Sequence, residues 1–396
     1  MSFHTIILIV NLLLWCIIAA STMYAMFFSL ASLIPSRKQQ KEDSPHQSRF
    51  LIIIPAYHED AVIINTAESF LKQNYPTDLY QLCVVSDHMK PETNVHLSSL
   101  PLTLLQPSFQ KSNKAQALQF AIAHCGFSNS STDHQHLFVV ILDADNIVQP
   151  DFLSRLNPIA LRYQAVQCHR TAKNADNDIA ALDGISEEIN NSIFRRGHNR
   201  IGMSSALIGS GMCFDYEWFK ENVNKLDSAV EDRELEALLM KQGIHIHYAE
   251  DILVMDEKVS DSQNFQRQRL RWMTGQVQAL VRMLPYLPKA IATGNINYVD
   301  KTVQQALIPR SILLVLTPVF TLLSLSVFGW GCQTVMWLLL LCALVFSLFI
   351  AIPPRLRSKA ILGKMLILPQ LTWRMLLNIV HIHPKSNEFI HTTHKQ

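Results

Sequence analysis

Asp143 and Asp145 flank Ala144 directly after the apolar run Leu137 to Leu142, where a turn can aim both carboxylates into one pocket. Hard oxygen ligands of this kind suit Mg²⁺ or Mn²⁺ bridging a diphosphate, although acids in turns are also commonly solvated or capping. Glu231 and Asp232 open an amphipathic stretch, Arg233 to Lys241, that Gly243 ends; acids at a helix start are ordinarily favoured by capping and the helix dipole. Gly209 and Gly211 around Ser210 either admit close approach of a ligand or make a tight turn. Gln268, Arg271 and Trp272 stand at i, i+3 and i+4, one face of a helix, and combine an arginine fork suited to phosphate with a flat ring on which a sugar can stack. The same helix carries the apolar stripe Met273, Val277, Leu280, Val281 and Leu284, which also fits a basic amphipathic helix lying on a membrane or packing on membrane spans.

These groups need elements to position them. Phe50 to Ile54 is a continuous apolar run stopped by Pro55, followed by Val62, Ile63, Ala67, Phe70 and Leu71 at helical spacing. Leu82 to Val85 is a second buried run, Asn113 to His124 is helix-like, and Leu137 to Leu142 is a third run. Strand alternating with helix predicts an α/β fold, a mainly parallel sheet with helices on both faces, whose ligands sit beyond the strand C-termini. Pro55 to Glu59, Ser86-Asp87 and Asp143 to Asp145 follow the three strands and would converge on that edge. Neither G-x-G-x-x-G nor G-x-x-x-x-G-K-[ST] occurs, which argues against a dinucleotide oxidoreductase or a P-loop NTPase.

The 396 residues include 34 Lys and Arg against 32 Asp and Glu, a balance that gives no reason to expect a nucleic-acid partner. Only 17% are charged, and the apolar residues concentrate at the two ends. Thr5 to Ser36 and Ser311 to Pro354 contain no charged side chain; the first is long enough for one span and the second for a helical hairpin turning near Gly329, Gly331 and Gln333. Arg37, Lys38 and Lys41 after the first span, and Arg310, Arg355, Arg357 and Lys359 around the hairpin, predict that the middle of the chain faces the cytoplasm of a multi-pass cell-membrane protein. The seven cysteines show no C-x-x-C pair or metal-ligand spacing and read as reduced, mostly buried thiols. The expected organisation is a membrane helix over 1–36, a linker over 37–48, an α/β domain over 49–262, amphipathic interface helices over 263–310, the hairpin over 311–354, and an interfacial segment with a tail over 355–396. Within the last, 361–380 carries Lys364 and Arg374, which favours lying at the interface over spanning.

In order and spacing, Ile54 to Glu59, Lys111 to Leu118, Asp143-Ala144-Asp145, Gly209-Ser210-Gly211, Glu231-Asp232 and the Q-x-x-R-W of Gln268, Arg271 and Trp272 resemble the membrane-bound inverting glycosyltransferases of family 2, the group containing cellulose, hyaluronan and poly-N-acetylglucosamine synthases. The resemblance implies a GT-A fold that binds a nucleotide-sugar donor, a UDP-sugar foremost, with Tyr57, Glu59 and Asp87 near the nucleoside and Lys114 near the diphosphate. It implies that Asp145 coordinates Mg²⁺ or Mn²⁺, with Asp143 at the ribose, the donor or the metal. Asp232, beside Glu231, would be the general base; Arg271 would meet the diphosphate, and Trp272 the acceptor sugar, with Gln268 and Gly209 to Gly211 on the acceptor side. His58 departs from the family's usual Asn, and Ser86-Asp87-His88 from its common Asp-Asp-Gly. One base and no enzyme nucleophile implies a single displacement with inversion. The acceptor would be a growing β-linked polysaccharide or, alternatively, a lipid, with the bilayer as partner; a non-catalytic sugar-nucleotide scaffold is the third reading. Three spans are few to enclose a polysaccharide channel, so polymerisation would call for an oligomer or an export partner.

Overall fold

The computed structural model describes residues 2–36, 46–126, 136–174, 178–228, 230–258 and 262–357, and for 262–267 the backbone alone. Linker residues 37–45 and the expected interfacial segment 361–380 lie outside the described residues.

Among the described residues eight strands form one sheet: β1 (Arg49–Tyr57), β2 (Tyr80–Asp87), β3 (Thr103–Leu105), β4 (Leu137–Ile141), β5 (Ile147–Val148), β6 (Ala165–Ala172), β7 (Met212–Asp215) and β8 (Ile246–Asp256). The order is β3-β2-β1-β4-β7-β6-β8-β5. Continuous apolar strands are what a sheet covered on both faces requires. In β1, Phe50, Ile52 and Ile54 point into one core while Leu51 and Ile53 point into the other, and β2 and β4 divide in the same way. Each of these side chains is fully buried, worth roughly 1.5–3 kcal/mol apiece relative to exposure.

The sheet is mixed. β3, β2, β1 and β4 run parallel, β7 enters antiparallel between β4 and β6, and β6 pairs parallel with β8. β5 pairs antiparallel with β8 at the far edge, and it is the reversal of β7 that matters for the site. The C-terminal ends of β1, β2, β4, β6 and β8 share one edge, and the antiparallel β7 brings its N-terminus to the same edge, with Met212 opposite Ile141. The Gly209 to Gly211 loop that precedes β7 therefore lies beside the Asp143 turn that follows β4.

Among the described residues three helices, Phe3–Ala31, Arg310–Phe328 and Cys332–Ala351, are long and apolar enough to cross a membrane. The last two form a hairpin whose turn places Gly329 at φ 58°, in the left-handed region. Ile18, Ala25 and Phe28 of the first helix share a core with Leu340, Leu344 and Leu348 of the third, and Trp337 Nε1 donates to Asn11 Oδ1 at 2.9 Å. Leu182, Ile185 and Ile189 of the helix Asp178–Asn190 belong to that same core, so the α/β unit is docked on the helices. A π-helical turn over Asn191–Gly197 continues that helix, and a Cβ on Gly197 would overlap the Phe28 carbonyl. All seven cysteines are free; Cys83, Cys125, Cys168 and Cys213 are buried, and Cys16, Cys332 and Cys342 are exposed on the membrane helices.

Candidate active site

The polar edge of the sheet borders a cavity of about 530 Å³. Asp143 leaves β4 into a tight turn held by neutral groups: its backbone N–H is shared between Asn146 Oδ1 at 3.1 Å and Ser210 Oγ at 3.0 Å, and Ser210 also bonds Asn146. Lys114 begins the helix Lys114–His124, whose N-cap Asn113 accepts from Gln116 N at 2.8 Å. Its ammonium lies 2.5 Å from Asp143 Oδ1, 2.6 Å from the Gly209 carbonyl and 3.4 Å from Glu231 Oε1. Burial works against the charge on Lys114, but Asp143, Glu231 and Asp232 outweigh it and raise its pKa. Burial likewise opposes the Asp143 carboxylate, yet Lys114, Arg170 and Arg271 hold it below the usual carboxylate range.

Asp145 accepts from Asn146 Nδ2 at 3.0 Å and from Glu257 N at 3.1 Å, one oxygen each. Among the described residues no group of three or more His, Cys, Asp or Glu stands together as a ready metal cage. Mg²⁺ and its analogues usually use one or two carboxylates with substrate phosphates and water, so the Asp143 and Asp145 donor set fits such an ion bound together with a diphosphate.

Glu231 and Asp232 start the helix Glu231–Lys241 and face the same cavity. Glu231 is buried, and its carboxyl is pushed up to about 7 by that burial and by Asp232, against the pull of Lys114. Gly209 has φ +75°, and a Cβ there would touch Asp232, Lys114 and Glu231 at 3.8–3.9 Å, so this glycine closes the floor beneath all three.

The helix Ser262–Met283 contributes Gln268, Arg271 and Trp272 to the lining. A Cβ on Gly275 would collide with Val230 Cγ1, so the missing side chain lets this helix close directly over the start of the Glu231 helix. Arg271 is depressed by burial and sits in the field of Glu231, Asp143 and Asp232. Trp272 lines the cavity with the Arg269 guanidinium 4.4 Å from its ring centroid. Gln268 lines it too, and its buried Oε1 has no hydrogen-bond partner among the described residues. Of the apolar stripe, Met273 packs on Ile312 of a membrane helix, whereas Val281 and Leu284 are exposed.

The structure brings Tyr57, Glu59, Asp87, Lys114, Asp143, Asp145, Gly209, Glu231, Asp232, Gln268, Arg271 and Trp272 to one cavity. Ser210 and Gly211 do not line it. Ser210 is fully buried behind the Asp143 turn, and Gly211, at φ +65°, packs its backbone where a Cβ would lie 3.0 Å from Val254 Cγ2. His58 and His88, the two departures from the family pattern, both adopt φ 55°, and His88 Nδ1 lies 2.5 Å from Asp87 Oδ1.

Sequence reasoning missed Arg170. It lies within β6, after the buried Gln167 and His169, and stands between Glu187 at 3.3 Å, Asp256 at 3.3 Å and Asp143 at 4.0 Å. A lone charge at the end of Ala165 to Cys168 was the available signal, and only the β6–β8 pairing shows that it belongs to the site.

Comparison with known proteins agrees with this architecture. The model of the family "Glycosyltransferase like family 2" matches residues 46–275, more than half of the chain. No curated protein sequence matches it. A mannosyltransferase, PcManGT from Pyrobaculum calidifontis, solved in complex with GDP-Man and Mn²⁺, superposes with a TM-score of 0.57 at 14% identity, covering 92% of this chain and 99% of that one. TarS of S. aureus gives a TM-score of 0.42 at 13% identity over 84% of this chain and 89% of the solved fragment. The mixed sheet with its helices is GT-A-like, and the chain belongs to the glycosyltransferase-like family 2.

Proposed function

We propose that this protein transfers a sugar from a nucleotide-sugar donor, a UDP-sugar foremost, to a membrane-associated acceptor with inversion at the anomeric carbon. The observation that carries this reading is that one cavity gathers Lys114, Asp143, Asp145 and Arg271, groups suited to a metal-bound diphosphate, together with Asp232 and Trp272. Tyr57, Glu59 and Asp87 at the ends of β1 and β2 suit the nucleoside. Asp143 and Asp145 would hold Mg²⁺ or Mn²⁺, which supplies charge neutralisation at the diphosphate. Asp232 takes the proton of the acceptor hydroxyl as its oxygen attacks the anomeric carbon, and the bond to the diphosphate breaks. Lys114 and Arg271 face the charge that builds on the leaving diphosphate, in a site partly shielded from water. Trp272 holds the acceptor near attack geometry, and the orphan Gln268 Oε1 offers an acceptor for a sugar hydroxyl.

Two acceptor classes fit a membrane enzyme of the cellulose and hyaluronan synthase type: a growing β-linked polysaccharide and a lipid. The cavity favours the lipid, because it runs on to Ser21, Tyr24, Leu313, Leu314 and Leu348 of the three membrane helices. Arg310 and Arg355, at the two ends of the hairpin, both contact the helix Asp178–Asn190, which supports a hairpin that leaves and returns on the side of the α/β domain. With the cation pattern of the flanks, that side is the cytoplasm.

The test is release of nucleoside diphosphate by full-length protein in detergent across a panel of sugar nucleotides. Turnover should disappear on chelation and return with Mg²⁺ or Mn²⁺. Full activity in excess chelator would remove the metal role, and no turnover with any donor would favour the scaffold reading.

A further inference from the structure

We infer that the acceptor is a lipid carrying a phosphate or diphosphate ester between its tail and its sugar, and that Arg310 reads that phosphate. The inference rests on the transfer reading and specifies its acceptor. Arg310 begins the second membrane helix and lines the cavity between the sheet edge and the apolar residues of the spans. Through Nη2 it donates to Asn190 Oδ1 at 2.7 Å and to the Ser186 carbonyl at 3.2 Å, both neutral partners. Among the described residues its Nε and Nη1 have no partner, and no carboxylate pairs with it. Nearby cations are neutralised: Arg195 pairs with Glu187 at 3.4 Å, Arg170 with Glu187 and Asp256, and Arg269 with Asp183. A guanidinium left without a counterion at the margin of a bilayer is costly, and a fork with two free donors matches a phosphate ester.

The cavity lining fixes what else the molecule carries. Leu313, Leu314 and Leu348 line the same cavity as Arg310 and are suited to a tail. The lining also holds Arg269, whose guanidinium lies 4.4 Å from the Trp272 ring centroid, and Asp232. A general base is needed for a hydroxyl nucleophile, not for an ionised phosphate oxygen, so the group at Asp232 is a hydroxyl; the Trp272 ring in the same lining suits a sugar as its carrier, which leaves the phosphate to the link between sugar and tail. No step of the transfer changes; Arg310 binds and orients.

The experiment measures binding of farnesyl diphosphate and of farnesol to full-length protein in neutral detergent. Farnesyl diphosphate should bind at least about 10-fold more tightly, the range expected for hydrogen bonds to a charged group. Arg310→Gln should reduce it to the level of farnesol, and Arg310→Lys, which keeps the charge without the fork, should recover part; nucleotide-sugar binding reports that both variants fold. Equal binding of the two probes, or binding indifferent to Arg310→Gln, overturns the inference. Equally effective competition by phosphatidylglycerol also overturns it and assigns Arg310 to bulk lipid. A second arm compares transfer to one sugar carried on farnesyl diphosphate or on farnesol. Equal use of both sinks the phosphate role and leaves the transferase reading intact, whereas Arg310-dependent lipid binding without turnover by any donor keeps the site and sinks the transferase reading.

Discussion

Glu231 and Asp232 are neighbours in sequence with different surroundings. Glu231 is buried beside Lys114, while Asp232 is half-buried at the cavity and accepts from the Arg233 backbone N–H at 2.8 Å. Asp232→Asn keeps shape but cannot take a proton, so the transfer rate should fall by roughly 10²–10⁴-fold with donor binding retained; a near-normal rate would move the base elsewhere. Glu231 makes a different prediction. Its carboxyl, raised from the ordinary 4.5 to about 7, holds its proton in the folded protein over a range where the unfolded chain has lost it. The folded state is therefore favoured at low pH, and that advantage is lost as pH climbs from the ordinary value through about 7. The melting temperature of Glu231→Gln relative to wild type should rise between about pH 5 and about pH 8, and a pH-independent difference would contradict the assignment. Trp272 separates a sugar platform from a membrane anchor. Phe should keep partial activity and Leu should fail in an acceptor titration at saturating donor, while equal activity of wild type and Trp272→Leu would leave only the anchor.

At the scale of elements, the first α/β half was legible because its strands are fully apolar and its helices carry their own stops. Asn113 caps the Lys114 helix, and Gly243, at φ +72°, follows the end of the Glu231 helix. The reversal of β7 was not legible, since Met212 to Asp215 is four residues long and its direction is set by pairing with β4 and β6 rather than by its own pattern. Gly275 was equally silent: inside an amphipathic helix it looks like a weak helix former, and its purpose emerges only from Val230 against it. Gly275→Val should lift the Ser262–Met283 helix off the Glu231 helix, lowering transfer sharply at a stability cost of roughly 1–3 kcal/mol, as overpacking does. Adding Val230→Ala should restore much of both losses. If Gly275→Val is silent in activity and in thermal melting, the close approach of these helices is not part of the site.

At the scale of the molecule, the charge-free ends foretold the three helices that are long and apolar enough to cross a membrane among the described residues, but not how the α/β unit sits on them. That depends on groups with no local signature, such as the Tyr24 hydroxyl donating to Asp300 at 2.6 Å and the Phe28 ring stacked on His198 at 3.6 Å. Docking turns a sheet-edge site into one cavity lined in part by the three apolar helices. In intact cells, thiol or protease probes added outside should leave residues 50–300 untouched, and labelling there would overturn the cytoplasmic orientation. The most direct test of the whole account is the anomeric configuration of the product. Full-length enzyme with its preferred sugar nucleotide and acceptor should yield one new glycosidic bond of configuration opposite to the donor's, formed by wild type and lost in Asp232→Asn. A product of retained configuration would contradict single displacement by an Asp232-activated hydroxyl.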